Sequence, residues 1–289
     1  MPRPLKLLRI IGLLATALLL AACGVARLAY NQAPELLYWR LDSYVDFTDE
    51  QSPRAKEELA KFQQWHRSTQ LPQYLALLQQ VQQQLPAATD TAQVCAIWAQ
   101  ARSQVSAITA QIEPAAVWLA LSMTPEQILT LERKHAKSNA DWREQWLDLS
   151  PQALQKKRYE FFVKMAEWVY EPLQENQKAA LRASLAGSAF DPQQAYAERL
   201  RQQQDQLATL RQVAGDKVSV AEAQVLLRGY FARTLSSPNA AYRAYQDQLR
   251  MNSCAHFAKL HNASTPAQRQ QAGGKIRSYE ADVRALMAQ

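Results

Sequence analysis

Apolar and polar positions follow the period of an α-helix along most of the chain. Val94, Ile97, Ala101, Val105, Ile108 and Ile112 recur in steps of three and four. So do Ile128, Leu131, His135, Trp142, Trp146 and Leu149, with Ser138 and Asn139 bridging the gap, and later Ala272, Ile276, Tyr279, Val283 and Leu286. This spacing lines up one face of a helix. No comparable run of alternating β-branched residues occurs, so no sheet is expected.

Helix starts are marked by Ser, Thr or Asp followed by Pro: Thr124-Pro125, Ser150-Pro151, Asp191-Pro192, Ser237-Pro238 and Thr265-Pro266. The cap oxygen takes an orphan backbone N–H, and proline fits the first helical position, where its missing donor is not needed. A Gln or Glu three residues on completes a capping box at Thr48/Gln51, Thr124/Gln127, Asp191/Gln194, Ser219/Glu222 and Thr265/Gln268. These signals predict helices over 34–46, 49–68, 71–85, 91–121, 125–148, 151–171, 173–186, 192–213, 220–235, 239–261 and 266–288. The expected fold is all-α: a multi-helix bundle or an elongated helical array. The low glycine count, 7 in 289 residues, agrees. Residues 34–289 read as one helical domain, with the Ala/Gly/Ser stretch 186–190 as a possible sub-boundary.

The N-terminus follows a different pattern. Arg3, Lys6 and Arg9 precede an apolar run from Ile10 to Leu20, which is short for a membrane span and fits the h-region of a secretory signal. It ends in Leu20-Ala21-Ala22-Cys23, which resembles the lipobox of bacterial lipoproteins. That resemblance implies that residues 1–22 are a signal peptide and that Cys23 is the acylated first residue of the mature chain, with 23–33 a lipidated tether. A plain signal with a chance cysteine, or an uncleaved anchor, is the other reading. More than one acyl chain holds a protein firmly at a membrane. Gly24, rather than Asp, in the second mature position resembles the Gram-negative signal for the outer membrane, with the domain on its periplasmic face. In a Gram-positive host the cell membrane would carry it. No later stretch is expected to approach a membrane span.

An exported chain meets oxidising conditions. Once Cys23 is assigned to lipid, two thiols remain, and a Cys95–Cys254 disulfide is expected. Residues 191–289 carry thirteen Lys/Arg against eight Asp/Glu, while the preceding mature residues are nearly balanced. A mildly basic C-terminal half suits a solvated arginine-rich face or an anionic partner. The compartment and the absence of a recognisable motif argue against nucleic acid.

Phe47-Thr48-Asp49-Glu50-Gln51, Met123-Thr124-Pro125-Glu126-Gln127 and Ser264-Thr265-Pro266-Ala267-Gln268, with the looser Leu173-Gln174-Glu175-Asn176-Gln177, are similar to the LTxxQ motif of the Spy/CpxP periplasmic chaperones. In that family the motifs open helices of a thin α-helical cradle. A broader likeness runs through Tyr30-Asn31, Trp39…Asp42-Ser43-Tyr44, Trp65-His66-Arg67, Leu71-Pro72-Gln73-Tyr74 and Cys254…Leu260-His261-Asn262 with Thr265 and Gln268-Arg269. It resembles a proteobacterial family of outer-membrane lipoproteins without assigned function, and it implies no catalytic residues.

Candidate chemistry is sparse. Trp65, His66 and Arg67 place an imidazole between an indole and a guanidinium, able to bind an anion or respond to pH; the same trio also suits a helix C-terminus, where positive groups complement the dipole. Cys254, His256 and His261 are poorly spaced for a metal, and His135 reads as a hydrogen-bonded core histidine. Glu132, Asp141 and Glu144 alternate with Arg133, Lys134 and Arg143, the pattern of a salt-bridged surface. With no nucleophile elbow, zinc motif or P-loop, no catalytic residue, metal or cofactor is assigned. The Trp/Tyr cluster at 38–44 lies near the anchor and could touch a membrane interface. The expected role is a non-enzymatic, membrane-anchored binding or scaffold protein of the cell envelope, with a chaperone-like role as one version, acting on an envelope protein or anionic ligand. An enzyme acting on envelope lipid or cell wall is the alternative.

Overall fold

The computed structural model describes residues 26–215 and 218–289. The signal segment and Cys23 lie outside the described residues. After a short helical stretch at 26–31 come α1 (Ala33–Val45), α2 (Gln51–Trp65), α3 (Leu71–Gln84), α4 (Thr91–Ser122), α5 (Pro125–Trp142) and α6 (Pro151–Tyr170). Then follow α7 (Glu175–Ala186), α8 (Pro192–Gly215), α9 (Val220–Leu235), α10 (Ala240–Asn262) and α11 (Pro266–Met287). The described residues contain no strand.

Most starts are capped as expected. Ser150 accepts from the Ala153 N–H, and Thr124, Ser219 and Thr265 form full capping boxes, as does Asp90, which was not anticipated. Three local expectations change. First, the predicted break between 68 and 71 is absent. The chain passes from α2 to α3 through a π-helical turn, His66–Gln70, in which the Leu71 N–H reaches back five residues to the His66 carbonyl. Pro72, which has no N–H, sits just past this widened turn. Second, Ser237 does not cap α10; Asn239 does, accepting from the N–H groups of Ala241 and Tyr242. Ser237 is buried and donates instead to Glu198 at 3.0 Å. Third, α4 has the length and apolar composition of a membrane span, with mean hydropathy 1.2 over its most apolar window, although no such stretch was expected after the N-terminus. Its alanines raise the average.

Two main cores form. One joins Val45, Val117, Met123, Ile128, Leu131, Leu210, Val213 and Leu227, and so draws on α1, α4, α5, α8 and α9. The other joins Leu85, Tyr170, Leu173, Leu181, Leu185 and Ala272, beside α6, α7 and α11. Helix α4 is about 48 Å long at 1.5 Å per residue. Its C-terminal end lies in the first core, and near its start Val94 packs with Cys254 and Ala258 of α10 in a third, small cluster. There the Cys95 and Cys254 sulfurs are 2.10 Å apart, the distance of a disulfide, with Cα atoms 5.5 Å apart.

The four glutamine motifs, three opened by threonine and one by Gln174, meet in two pairs, one at each main core. Each glutamine Oε1 accepts from the N–H at its own cap: Thr48 (3.1 Å), Thr124 (2.9 Å), Gln174 (2.9 Å) and Thr265 (3.0 Å). Each Nε2 crosses to the partner motif and donates to the carbonyl five residues before the partner glutamine. Gln51 reaches Ser122 and Gln127 reaches Asp46; Gln177 reaches Ala263 and Gln268 reaches Pro172. Within each pair the amides also bond each other in both directions. An amide offers two donors and two acceptor sites, so each buried glutamine is fully satisfied. The same joint is built twice, although the paired glutamines are 76 residues apart in one case and 91 in the other.

Candidate functional site

Helices α4 and α10 pack along each other, and between them runs the most extensive concavity described. Its wider part, about 870 Å³, is lined by Trp98, Ala101, Arg102, Val105 and Ser106 of α4 and by Arg243, Gln246, Asp247, Arg250 and Ser253 of α10. A narrower apolar part, about 220 Å³, continues at Trp98 with Val81, Leu85, Val94, Ile97, Phe257 and His261. The helical period explains the continuity. Val94, Trp98, Ala101 and Val105 share one face of α4, and Gln246, Arg250, Ser253, Phe257 and His261 share one face of α10. Trp98, 58% exposed, belongs to both parts.

Positive charge sits at the wide end. Arg102 donates to the Leu235 carbonyl at 2.9 Å and Arg243 to the Ser237 carbonyl at 2.6 Å, which fixes both guanidinium groups without neutralising them. Arg250 pairs with Asp247 at 2.8 Å. The groove serines Ser103 and Ser253 donate to carbonyls of their own helices. His261 is buried and held on both nitrogens. Its Nε2–H must donate to the Ala87 carbonyl (2.8 Å), so Nδ1 accepts from the Tyr170 hydroxyl (2.8 Å). Burial lowers the imidazole pKa below its ordinary value and raises that of the phenol, so both stay neutral. The lining therefore offers apolar surface, shape and positive charge.

Residues 43–220 match a model described as a family of unknown function, DUF6279. The chain belongs to the DUF6279 family. No curated protein and no solved structure matches it. The DUF6279 segment contains the first glutamine pair, Gln177 of the second, and the α4 wall of the groove; Gln268 and the α10 wall lie beyond it.

In this DUF6279 member, His66 and Arg67 face the helical segment at 26–31. His66 Nδ1 meets the Tyr30 hydroxyl at 3.0 Å, Arg67 donates to Asn31 at 2.8 Å, and Gln63 donates to the Tyr30 carbonyl at 2.5 Å. The His66 ring also packs on Phe62 and Tyr74, and burial lowers its pKa. Trp65 lies beside Phe62. Residues 26–31, expected as tether, are thus helical and clasped to the α2–α3 junction, with Arg27 paired to Asp282 at 3.3 Å. His66 and Arg67 hold Tyr30 and Asn31, and neither lines the groove.

The remaining candidates disperse. His256 bonds Ser184, away from His261, and Cys254 is bridged to Cys95. No group of three or more potential metal ligands occurs among the described residues. His135 is half-buried and bonded to Gln206 at 2.9 Å. Glu132 pairs with Arg211 and Asp141 with Lys137. The sequence reading missed an ionic cluster built around buried Glu198. Glu198 takes a forked bond from Arg201, which also pairs with Asp205, and Asp205 in turn pairs with Arg233. Burial would raise the Glu198 pKa, but Arg201 and Ser237 outweigh it and hold the carboxyl below its usual range. Arg201 and Glu198 stand three apart on α8, a legible pair; Ser237 and Arg233 come from elsewhere in the chain. Of the groove residues, the α4 stripe reads from the sequence as one face of a helix and His261 as a poor metal candidate; the α10 arginines are not singled out there.

Proposed function

We propose that this DUF6279 protein is a lipid-anchored, non-enzymatic binding protein of the cell envelope, fastened by acylated Cys23 at the periplasmic face of the outer membrane. Its working surface is the α4–α10 groove, which takes apolar and acidic segments of partner polypeptides in a chaperone-like manner. The observation that carries this reading is the pair of adjoining, mainly apolar concavities that share Trp98, with fixed arginines at the wide end. Apolar contact supplies affinity without demanding a sequence, and arginine favours acidic side chains. The motifs that resemble those of Spy/CpxP, assembled pairwise, support the comparison with a helical client-holding scaffold.

A photo-crosslinking side chain at Ser106, in the groove, should capture envelope proteins in the native membrane, and one at Lys137, exposed on α5, should not. Arg102→Glu with Arg243→Glu should reduce the capture. Recovery of only the free protein from the Ser106 position would refute the proposal. The anchor is tested by fatty-acid labelling, which must disappear in Cys23→Ser.

A further inference from the structure

Helix α1 is poorly covered by the rest of the bundle. Leu36, Leu37, Trp39 and Leu41 are 49%, 42%, 63% and 40% exposed, and Leu28, just before the helix, is 62% exposed. With about 3.6 residues per turn, these α1 positions and Arg40 spread over roughly half the helix circumference. The opposite side holds the bundle: Val45 is buried in the first core and Tyr38 stacks on Phe47 at 5.6 Å. Arg40 lies over the Tyr44 ring at 4.7 Å and donates to its hydroxyl. Tryptophan, leucine and arginine on one side of a helix compose a surface of the kind that seats in a lipid interface, while Tyr44 beneath Arg40 packs on the first core.

The chain around α1 indicates what covers this face. The apolar run Ile10–Leu20 and Cys23 stand immediately ahead of it. Two residues, Gly24 and Val25, separate Cys23 from residue 26, and the three steps between their Cα atoms span at most about 11 Å when extended. On the anchored reading, with acylated Cys23 or a retained apolar segment in the membrane, residue 26 starts close to a bilayer. From there it is not a loose leash, because Tyr30 and Asn31 are clasped by His66 and Arg67, and Arg27 is paired with Asp282.

We infer that α1 is a membrane-docking face: its exposed leucines and Trp39 seat in the interface of the bilayer that holds the anchor, and the clasp fixes the orientation of the whole bundle. This rests on the anchored reading above and adds to it a defined contact surface.

The test uses the full chain, processed in cells, purified and reconstituted into phosphatidylethanolamine/phosphatidylglycerol vesicles. An environment-sensitive fluorophore is attached at Leu36→Cys, at Leu41→Cys or, as a control, at Val225→Cys, an exposed position on α9 (69%). Brominated lipids should quench the first two labels several-fold more than the third, with blue-shifted emission at both. Equal quenching at all three positions overturns the inference. So does a blue shift that appears in lipid-free protein and grows with protein concentration, which assigns the face to a second copy of the chain. The intact mass reports acylation separately, so a missing anchor is distinguished from a missing contact.

Discussion

Replacing Gln127 with alanine tests the joint that closes each main core. The substitution removes four hydrogen bonds: from the Thr124 N–H, to the Asp46 carbonyl, and both amide bonds with Gln51. Gln51 keeps the Ser122 carbonyl and the Thr48 N–H, so its amide remains half satisfied. The Thr124 N–H and the Asp46 carbonyl lose these partners. A buried group left unpaired costs about 1–3 kcal/mol, so the expected destabilisation is about 3–5 kcal/mol. That is a large part of the roughly 5–15 kcal/mol that stabilises a typical domain. Gln51→Ala should cost a similar amount. The double variant should fall short of the sum by on the order of 1–2 kcal/mol, because the amide pair is lost in either single variant. Denaturant unfolding followed by circular dichroism gives the totals, and hydrogen exchange at the first turns of α2 and α5 locates the loss. Gln127→Glu adds a control. A carboxylate can accept from Thr124 but cannot donate to Asp46, and burial raises its folded pKa above the unfolded value. Its stability deficit should therefore shrink as pH falls and the carboxyl regains a proton. A Gln127→Ala variant within about 0.5 kcal/mol of the parent, or strict additivity with Gln51→Ala, would refute the reasoning.

Four further outcomes are expected. Cys95→Ser with Cys254→Ser opens a cross-link spanning 159 residues and should cost about 5 kcal/mol in the chain-entropy model, measured by unfolding with and without reductant; two titratable thiols at these positions in the denatured, unreduced parent would contradict it. Burial holds His66, His135, His256 and His261 below their ordinary value of 6.5, so on acidification the unfolded chain takes up protons first. Stability should then fall as pH drops from about 7 through that window and level off below the folded pKa values; His261→Gln should flatten a melting-temperature profile taken against pH. His66→Ala should speed hydrogen exchange across residues 26–32 while leaving α5 and α8 protected, and unchanged exchange at 26–32 would remove the clasp from the account. Glu198→Ala removes the shared acceptor of Arg201 and buried Ser237, while Arg201 keeps Asp205 and the Arg233 carbonyl, and should cost about 1–3 kcal/mol in chemical denaturation, whereas a surface ion pair such as Lys137–Asp141 should be nearly silent when broken.

Much of the fold was legible because its signals are local. A Thr-Pro-Glu-Gln run states its own cap, proline position and box within four residues, and Thr124 and Thr265 form the structures their neighbours specify. Apolar spacing identified the helices for the same reason: period is a property of adjacent turns. Where the reading slipped, a distant partner intervened. Ser237 carries a cap signature, yet Glu198, thirty-nine residues earlier, takes its hydroxyl, and the cap moves to Asn239. His66 and Arg67 were noticed as chemistry, but their direction depends on Tyr30 and Asn31 docking across the α2–α3 junction.

By itself, then, the amino-acid order determined the all-helical class, nearly every helix start, the four glutamine motifs and the pair of cysteines. Tertiary structure alone decided that the motifs close on one another two by two, each amide reaching five residues behind its partner. It also decided that α4 and α10 leave a groove instead of a filled seam, and that one side of α1 stays bare. Hydrogen bonding and apolar period within a few turns are written in neighbouring residues. Which faces meet, and which remain uncovered, depends on segments many tens of residues apart competing to exclude water from the same places.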